Sequence, residues 1–395
     1  LLDRLLADQA WLWRPQPFKE ARPPWCQRLP GLTAQLLSLN DEEILALGAD
    51  DGALRDLLLE HLPCLGEVQG IFDRLSLRPV PSMVADTPDS LGWAVPGRKW
   101  RQVQQFAAAL GPLRAPPLDW CGGKGHLGRF LAHRWGMPAW TLERDEALCR
   151  QGEDLARRAG VPHQFAVQNV LAPEAAGHLV GCHPVALHAC GELHRQLLHR
   201  AVAVQVPALA VAPCCYHHGV TDRYPSLSGR GQLQLFRDDL RLAVTETRTA
   251  VDREVRLRDR EMAWKLGYDQ LRRQVTGEDR YRPIRPIDKA WLRSGFPDFC
   301  QALALRDGLC LPESTDWSRF EAEGWRRQRE TMRLSLVRQA FRRPLELWLV
   351  LDLAGYLEQH GYGVELSEFC DPQLSPRNLL LRARRLGADP LMAAL

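Results

Sequence analysis

The chain has 395 residues, 45% of them hydrophobic and 25% charged, an ordinary globular balance with length enough for two or three domains. No run of about 18 or more apolar residues occurs, which excludes a bilayer-spanning helix, and Leu1-Leu2-Asp3-Arg4 lacks the basic-then-apolar layout of a secretory signal. A cytoplasmic location without membrane partners is therefore expected. Eleven scattered cysteines predict reduced thiols rather than disulfides, and a net charge of +3 is too small to declare a nucleic-acid partner, so local clustering must decide.

Residues 1–97 read as a helical region with a linker. Leu36, Leu37, Ile44, Leu45 and Leu47 recur near helical spacing, and Asn40 followed by three acids predicts a capped helix start. Pro79–Pro96 is a proline-rich connection.

From residue 98 the pattern changes to short apolar strands alternating with amphipathic helices, which predicts a parallel sheet covered on both faces. Strands are expected at 116–120, 138–143, 163–168, 183–189 and 207–213, with helices at 126–135, 145–159 and 192–203. This core, 98–220, is interrupted by an Arg-rich insertion over 221–343 and resumes at 344–385 with a helix and two strands, leaving 386–395 as a tail. The expected fold class is α/β, a Rossmann-like sheet with a helical N-terminal region and an insertion before the last two strands.

Asp119-Trp-Cys-Gly-Gly-Lys-Gly-His-Leu-Gly128 follows an apolar strand and opens a helix, the context in which a glycine turn binds a ligand through exposed backbone amides. Gly123-Lys-Gly-His-Leu-Gly128 also satisfies the dinucleotide pattern, with Glu143 at the distance of a ribose-binding acid. Three features favour S-adenosylmethionine (SAM) over NAD: Asp119 at the strand end, Gln168-Asn169 after the third strand, and a final pair of segments, Val364–Phe369 and Asn378–Ala383, that suits an antiparallel closing pair. The residues expected to hold the cofactor are Asp119, Cys121, Gly122, Gly123, Gly125, Leu127, Glu143, Asn169 and His188.

Two further strand ends carry chemistry, His188-Ala-Cys190-Gly and Pro213-Cys214-Cys215-Tyr216-His217-His218. Ligands of open α/β sheets bind at the carboxyl ends of strands, so both groups should border the glycine turn. His188, Cys190, Cys214, Cys215, Tyr216 and His217 are the candidate catalytic residues. His188 or His217 could orient or deprotonate an acceptor hydroxyl, and a thiolate at the end of strand five could add to a pyrimidine ring, as in covalent cytosine methylation. Adjacent Cys-Cys lacks the usual two-residue chelate spacing, and no metal site is expected.

Together the three motifs resemble the methyltransferase-like proteins grouped by a shared domain, methyltransferase-like 25 and relatives. More distantly they are similar to the tRNA acceptor-stem 2′-O-methyltransferases. The resemblance covers about residues 98–218 and, loosely, the C-terminal strands. It implies a SAM-dependent methyltransferase acting on RNA, on a ribose 2′-oxygen or a base. Cys121 departs from the usual first glycine of the turn, and Glu192-Leu-His194 stands where the tRNA enzymes carry Thr-Asp. A protein or small-molecule methyltransferase and a non-catalytic SAM-binding module are the alternatives.

Between Arg319 and Arg343 eight arginines face three glutamates, with Trp325 and Phe341 interleaved. Arg326, Arg327 and Arg329 there, with Lys99 and Arg101 before the first strand, are the expected RNA contacts, since arginine forks phosphates and stacks on bases. A basic amphipathic helix docked on its own domain is the alternative.

Overall fold

The structure is a computed structural model that describes residues 1–75, 77, 88–113, 115–245 and 252–387. Part of the expected 79–96 linker and nearly all of the 386–395 tail lie outside these residues. Two compact units emerge, one formed by Leu1–Ala7, Val68–Thr245 and Arg343–Leu395, the other by Asp8–Glu67 and Glu246–Arg342. The expected regions 1–97 and 221–343 are thus each divided, and most of both is gathered into the second unit.

The first unit is built on a seven-stranded sheet of β1 (Pro117–Trp120), β2 (Ala139–Glu143), β3 (His163–Val167), β4 (His183–Cys190), β5 (Ala208–Cys214), β6 (Tyr362–Glu368) and β7 (Leu379–Arg385). Its spatial order is β3-β2-β1-β4-β5-β7-β6, with the first five strands parallel and β7 antiparallel to both β5 and β6. Each expected strand of the core falls within one or two residues of its place. The antiparallel insertion of β7 beside β5 separates this sheet from a dinucleotide fold, whose six strands run in the order 3-2-1-4-5-6 in one direction. The α/β, Rossmann-like expectation holds.

Helices α1 (Gly97–Leu110), α2 (His126–Trp135), α3 (Glu146–Ala159) and α4 (Glu192–Ala203) cover the sheet. The sequence reading missed α1, whose buried residues Val103, Phe106, Ala107 and Leu110 recur every three or four positions. They pack with Leu127, Phe130, Val185, Ala212, Phe369 and Leu380 in one core cluster. Edge-on pairs of Trp100 with Phe130 and of Phe106 with Phe369 join α1 to α2 and to the end of β6.

In the chain leaving β5, residues 224–228 are anchored by one buried carboxylate. Asp352, buried on the helix Arg342–Gln359, accepts from the Tyr224 hydroxyl at 3.0 Å, the Ser226 and Ser228 hydroxyls at 2.5 and 2.8 Å, and the backbone N–H groups of Leu227 and Ser228 at 2.9 and 3.0 Å. Five donors offset the cost of burying that charge.

In the second unit the Arg-rich stretch forms the helix Trp317–Ala340, and Asn40 caps the helix Asp41–Ala49 as expected, in a reciprocal capping box with Glu43. An aromatic core of Trp264, Tyr268, Phe296, Phe299 and Phe320 joins the helices of residues 252–342. Arg327 donates to the carbonyls of Pro17 and Ala21, Arg333 to that of Leu39 and to Asp41, and Arg338 to that of Trp13. Arginines of this helix tie the two remote segments of the unit together.

Replacing Asp352 by Ala leaves buried donors without an acceptor and is expected to destabilise the protein by about 3 kcal/mol. Chemical denaturation of the variant would measure it, and a loss below about 1 kcal/mol would show that the loop has other anchors.

Candidate functional site

The parallel register aligns the carboxyl ends of β2, β1, β4 and β5 along one edge of the sheet, and the chemistry-bearing residues occupy that edge. At the end of β1 the chain passes Cys121 and Gly123 with left-handed φ of 58° and 61° and caps α2 at Gly125. Asp119 is buried, and its Oδ2 accepts from the Gly128 N–H at 3.1 Å. Only glycine fits at position 122, because a Cβ there would lie 2.4 Å from that same Oδ2. Space beside Gly123 is open, with nothing within 4 Å of a Cβ.

Glu143, at the end of β2, binds the turn directly. Its Oε2 accepts from the Gly123 N–H at 3.1 Å and its Oε1 from the N–H groups of Arg144 and Asp145 at 2.8 and 3.1 Å. The loop after β3 is joined to it by the Gln168 N–H bond to the Glu143 carbonyl, 2.8 Å. Asn169 is exposed, and its Oδ1 accepts from the Leu171 N–H at 3.1 Å in a local turn.

Burial drives the Asp119 carboxyl up to about 7, against the pull of the Gly128 N–H and of Lys99, and the neighbouring Glu143 charge adds to the rise. The Cys121 thiol is pushed up to about 12 by burial and then by Glu143, Asp119 and Cys190. These mutual influences place the glycine turn, the β2 end and the β4 end within one electrostatic neighbourhood.

The β4 end departs from regular strand. His188 holds a φ of +63°, the register with β5 shifts between Leu187 and Cys190, and the bulge brings Cys190 opposite Cys214. Their sulfurs are 3.5 Å apart. The His188 ring meets Gln102 of α1, Nε2 to Oε1 at 3.3 Å, and burial together with Arg377 lowers its pKa to about 4. A neutral imidazole follows at physiological pH.

Cys215 holds a φ of +45°. Its thiol is held well below the usual range by hydrogen bonds with Cys190 and Cys214, whereas the Cys214 thiol is pushed far up by its own bonds with Cys190 and Cys215 and by burial. Gly191 N–H donates to the Cys214 carbonyl at 3.0 Å and Glu192 N–H to that of His218 at 3.1 Å, so the two strand ends are clamped together. A Cβ on Gly191 would lie 2.1 Å from the His218 carbonyl oxygen, in a residue with φ of +52°.

Of the expected cofactor residues, the structure brings Asp119, Cys121, Gly122, Gly123, Gly125, Glu143 and His188 to this edge. Leu127 instead points into the core cluster with Phe130 and Val185. On the catalytic side His188, Cys190, Cys214 and Cys215 converge. Tyr216 is fully buried, edge-on to His194, with its hydroxyl unpartnered, and so belongs to the packing beneath the tips. His217 is half-buried and stacks on His218 at 4.5 Å between centroids.

The expected basic stripe divides. Lys99 and Arg101 are exposed on α1, and the charge of Lys99 reaches Asp119, His126 and His188. Arg326 is paired with Glu323 at 2.5 Å and Glu330 at 2.7 Å, and Arg327 is committed to backbone carbonyls, so neither offers a free phosphate fork. Arg329 is exposed and lines a cavity of about 370 Å³ with Trp325 and Met332. Gln102 and Arg377 were missed in sequence, Gln102 for want of α1 and Arg377 because its segment lies some 160 residues beyond the thiols it faces.

A carboxyl raised to about 7 from an ordinary value of 3.8 holds its proton more tightly in the folded protein, so the burial cost is absent at acid pH, grows as pH rises between those values, and is complete above 7. Asp119→Asn, which keeps the shape and loses the charge, is therefore expected to be more stable than the parent at pH 8 and to lose most of that advantage by pH 5. Unfolding midpoints at the two pH values measure it, and an advantage independent of pH would contradict the burial argument.

Residues 98–221 match a family model described as a methyltransferase domain. The chain is also 23% identical over 265 residues to a glutathione S-transferase C-terminal domain-containing protein of Xenopus laevis, an alignment covering 62% of this chain. It spans 39% of the length of that relative. With the sheet order and the glycine turn, the match makes the core over 98–221 similar to a methyltransferase domain, and it supports a methyltransferase.

Proposed function

We propose that the protein transfers a methyl group from SAM to an acceptor held over the ends of β4 and β5. The observation that carries this reading is the buried Asp119 carboxylate beside the Glu143 carboxylate, both fastened to the glycine turn. A carboxylate burdened by burial gains most from a cation, and the α-ammonium and sulfonium of SAM are cationic. The open side of Gly123 leaves the backbone approachable, and Glu143 retains acceptor capacity for ribose hydroxyls. SAM, when bound, supplies an electrophilic methyl. The chain's own residues bind its charged end through Asp119, orient it through Glu143, and keep His188 neutral to orient or deprotonate the acceptor. Asn169, whose Oδ1 accepts from the Leu171 N–H, would serve the adenine edge through its side-chain NH2.

An RNA acceptor is the finer reading. Lys99 and Arg101, exposed on the helix that also carries the His188 partner Gln102, support it by offering cations to a phosphate backbone next to the acceptor end. The three arginines of the second unit do not add to that support equally, since Arg326 is exposed but paired with Glu323 and Glu330 and Arg327 is bound to backbone carbonyls, which leaves Arg329.

Calorimetry should detect SAM binding, weakened about 10- to 100-fold in Glu143→Gln. Labelled methyl should pass from SAM to total RNA, with transfer reduced in the Lys99→Ala, Arg101→Ala double variant and increasingly inhibited by salt. SAM binding with label in protein or small molecules would redirect the acceptor assignment, and absence of SAM binding would overturn the proposal as a whole.

A further inference from the structure

The sulfurs of Cys190, Cys214 and Cys215 lie within 4.8 Å of one another, on two strand tips separated by more than twenty residues of chain. Two backbone departures produce this convergence. In a regular strand consecutive side chains point to opposite faces, so Cys214 and Cys215 should diverge. The left-handed φ of Cys215 cancels that alternation and turns its thiol back toward Cys214. On the other tip, the left-handed His188 and the bulge that follows set Cys190 opposite Cys214 rather than out of register. Non-glycine residues hold left-handed φ at a cost of order 1 kcal/mol or more each, and such strain gathers where an arrangement of groups is required.

We propose that this thiol triad is a binding site for one thiophilic d¹⁰ cation, of which Zn²⁺ is the representative. A cation with metal–sulfur bonds of about 2.3 Å in tetrahedral coordination sets its sulfurs roughly 3.8 Å apart. The Cys190–Cys214 separation of 3.5 Å already meets that spacing, and the remaining separations need to close by no more than about 1 Å. Binding exchanges up to three thiol protons for the cation, with no redox step. A three-sulfur set leaves the fourth position for a ligand from outside the triad, the arrangement of an open zinc site. The absence of Cys-x-x-Cys spacing argued against the set in sequence, because its chelate is made by pairing strands and not by one loop.

The proposal stands independently of SAM binding. The full chain, stripped with a chelator under reducing conditions, should bind one equivalent of Co²⁺ with the near-ultraviolet thiolate charge-transfer band and visible bands of tetrahedral cobalt, and Zn²⁺ should displace it. Cys190→Ser and Cys215→Ser should each weaken binding at least about 10-fold, while Cys310→Ser, at an exposed cysteine of the second unit, should leave it unchanged. Zn²⁺ should also shield the half-buried Cys190 and Cys215 thiols of the folded parent from a thiol reagent, a readout that does not depend on whether Cys214→Ser folds. No thiolate band, a spectrum unaltered by Cys190→Ser and Cys215→Ser, or no change in thiol count would overturn the assignment. A Cys190–Cys214 disulfide forming in air while Co²⁺ fails to bind the reduced protein would overturn it in favour of a redox pair.

Discussion

The parallel pairing of β1 with β2 and β4, and of β4 with β5, is the constraint on which the site depends. Parallel strands place all their carboxyl ends at one edge, so four short segments separated by helices must deliver their last residues to a common place. That pairing brings the Asp119 and Glu143 carboxylates, the His188 imidazole and the thiols of β4 and β5 to one edge. Helix α1 then closes the edge from the N-terminal side, bringing Gln102 to His188 and the charge of Lys99 to Asp119.

Within that edge, local backbone geometry decides what regular pairing cannot. A regular β4 would carry His188 and Cys190 on the same face with Ala189 opposite. The left-handed turn at His188 breaks that alternation and leaves its ring against α1 while Cys190 meets β5. The clamp of Gly191 and Glu192 onto the β5 loop holds the distortion in place, and the five-donor anchor at Asp352 secures the chain that follows. Rigidity at the thiol end therefore originates outside it.

Much of this was legible in the sequence. The strands of the core and the helices α2, α3 and α4 followed from apolar runs and glycine punctuation, and Asn40 announced its helix through the acids behind it. Glu143 was found by its spacing from the turn, although its bonds to backbone amides were not foreseeable from residue type. What stayed hidden depended on contacts between distant segments. Leu127 is a core residue because α2 lies with that face on the sheet, and Tyr216 is buried because His194 of α4 packs against it. Arg327, with its neighbours Arg333 and Arg338, looked like a phosphate surface, since nothing local reveals that carbonyls of residues 13–39 consume them. The conversion of an adjacent cysteine pair into a convergent one likewise rests on a single left-handed residue that no periodicity signals.

The second unit, assembled from Asp8–Glu67 and Glu246–Arg342, has a bearing on how the chain is made. Its amino-terminal part leaves the ribosome first, yet the arginines that bind its carbonyls arrive nearly 300 residues later, a wait of roughly 15–60 s at ordinary elongation speeds of about 5–20 residues per second. Throughout that interval Leu12, Trp13, Trp25 and Leu36, all buried in the finished protein, have no completed core to enter. The sheet-bearing strands β1 to β5 are synthesised inside the same window. Nascent chains of this protein thus pass through a stage in which strands β1 to β5 are present while these apolar residues still await the core that buries them, the kind of exposed surface that chaperones serve.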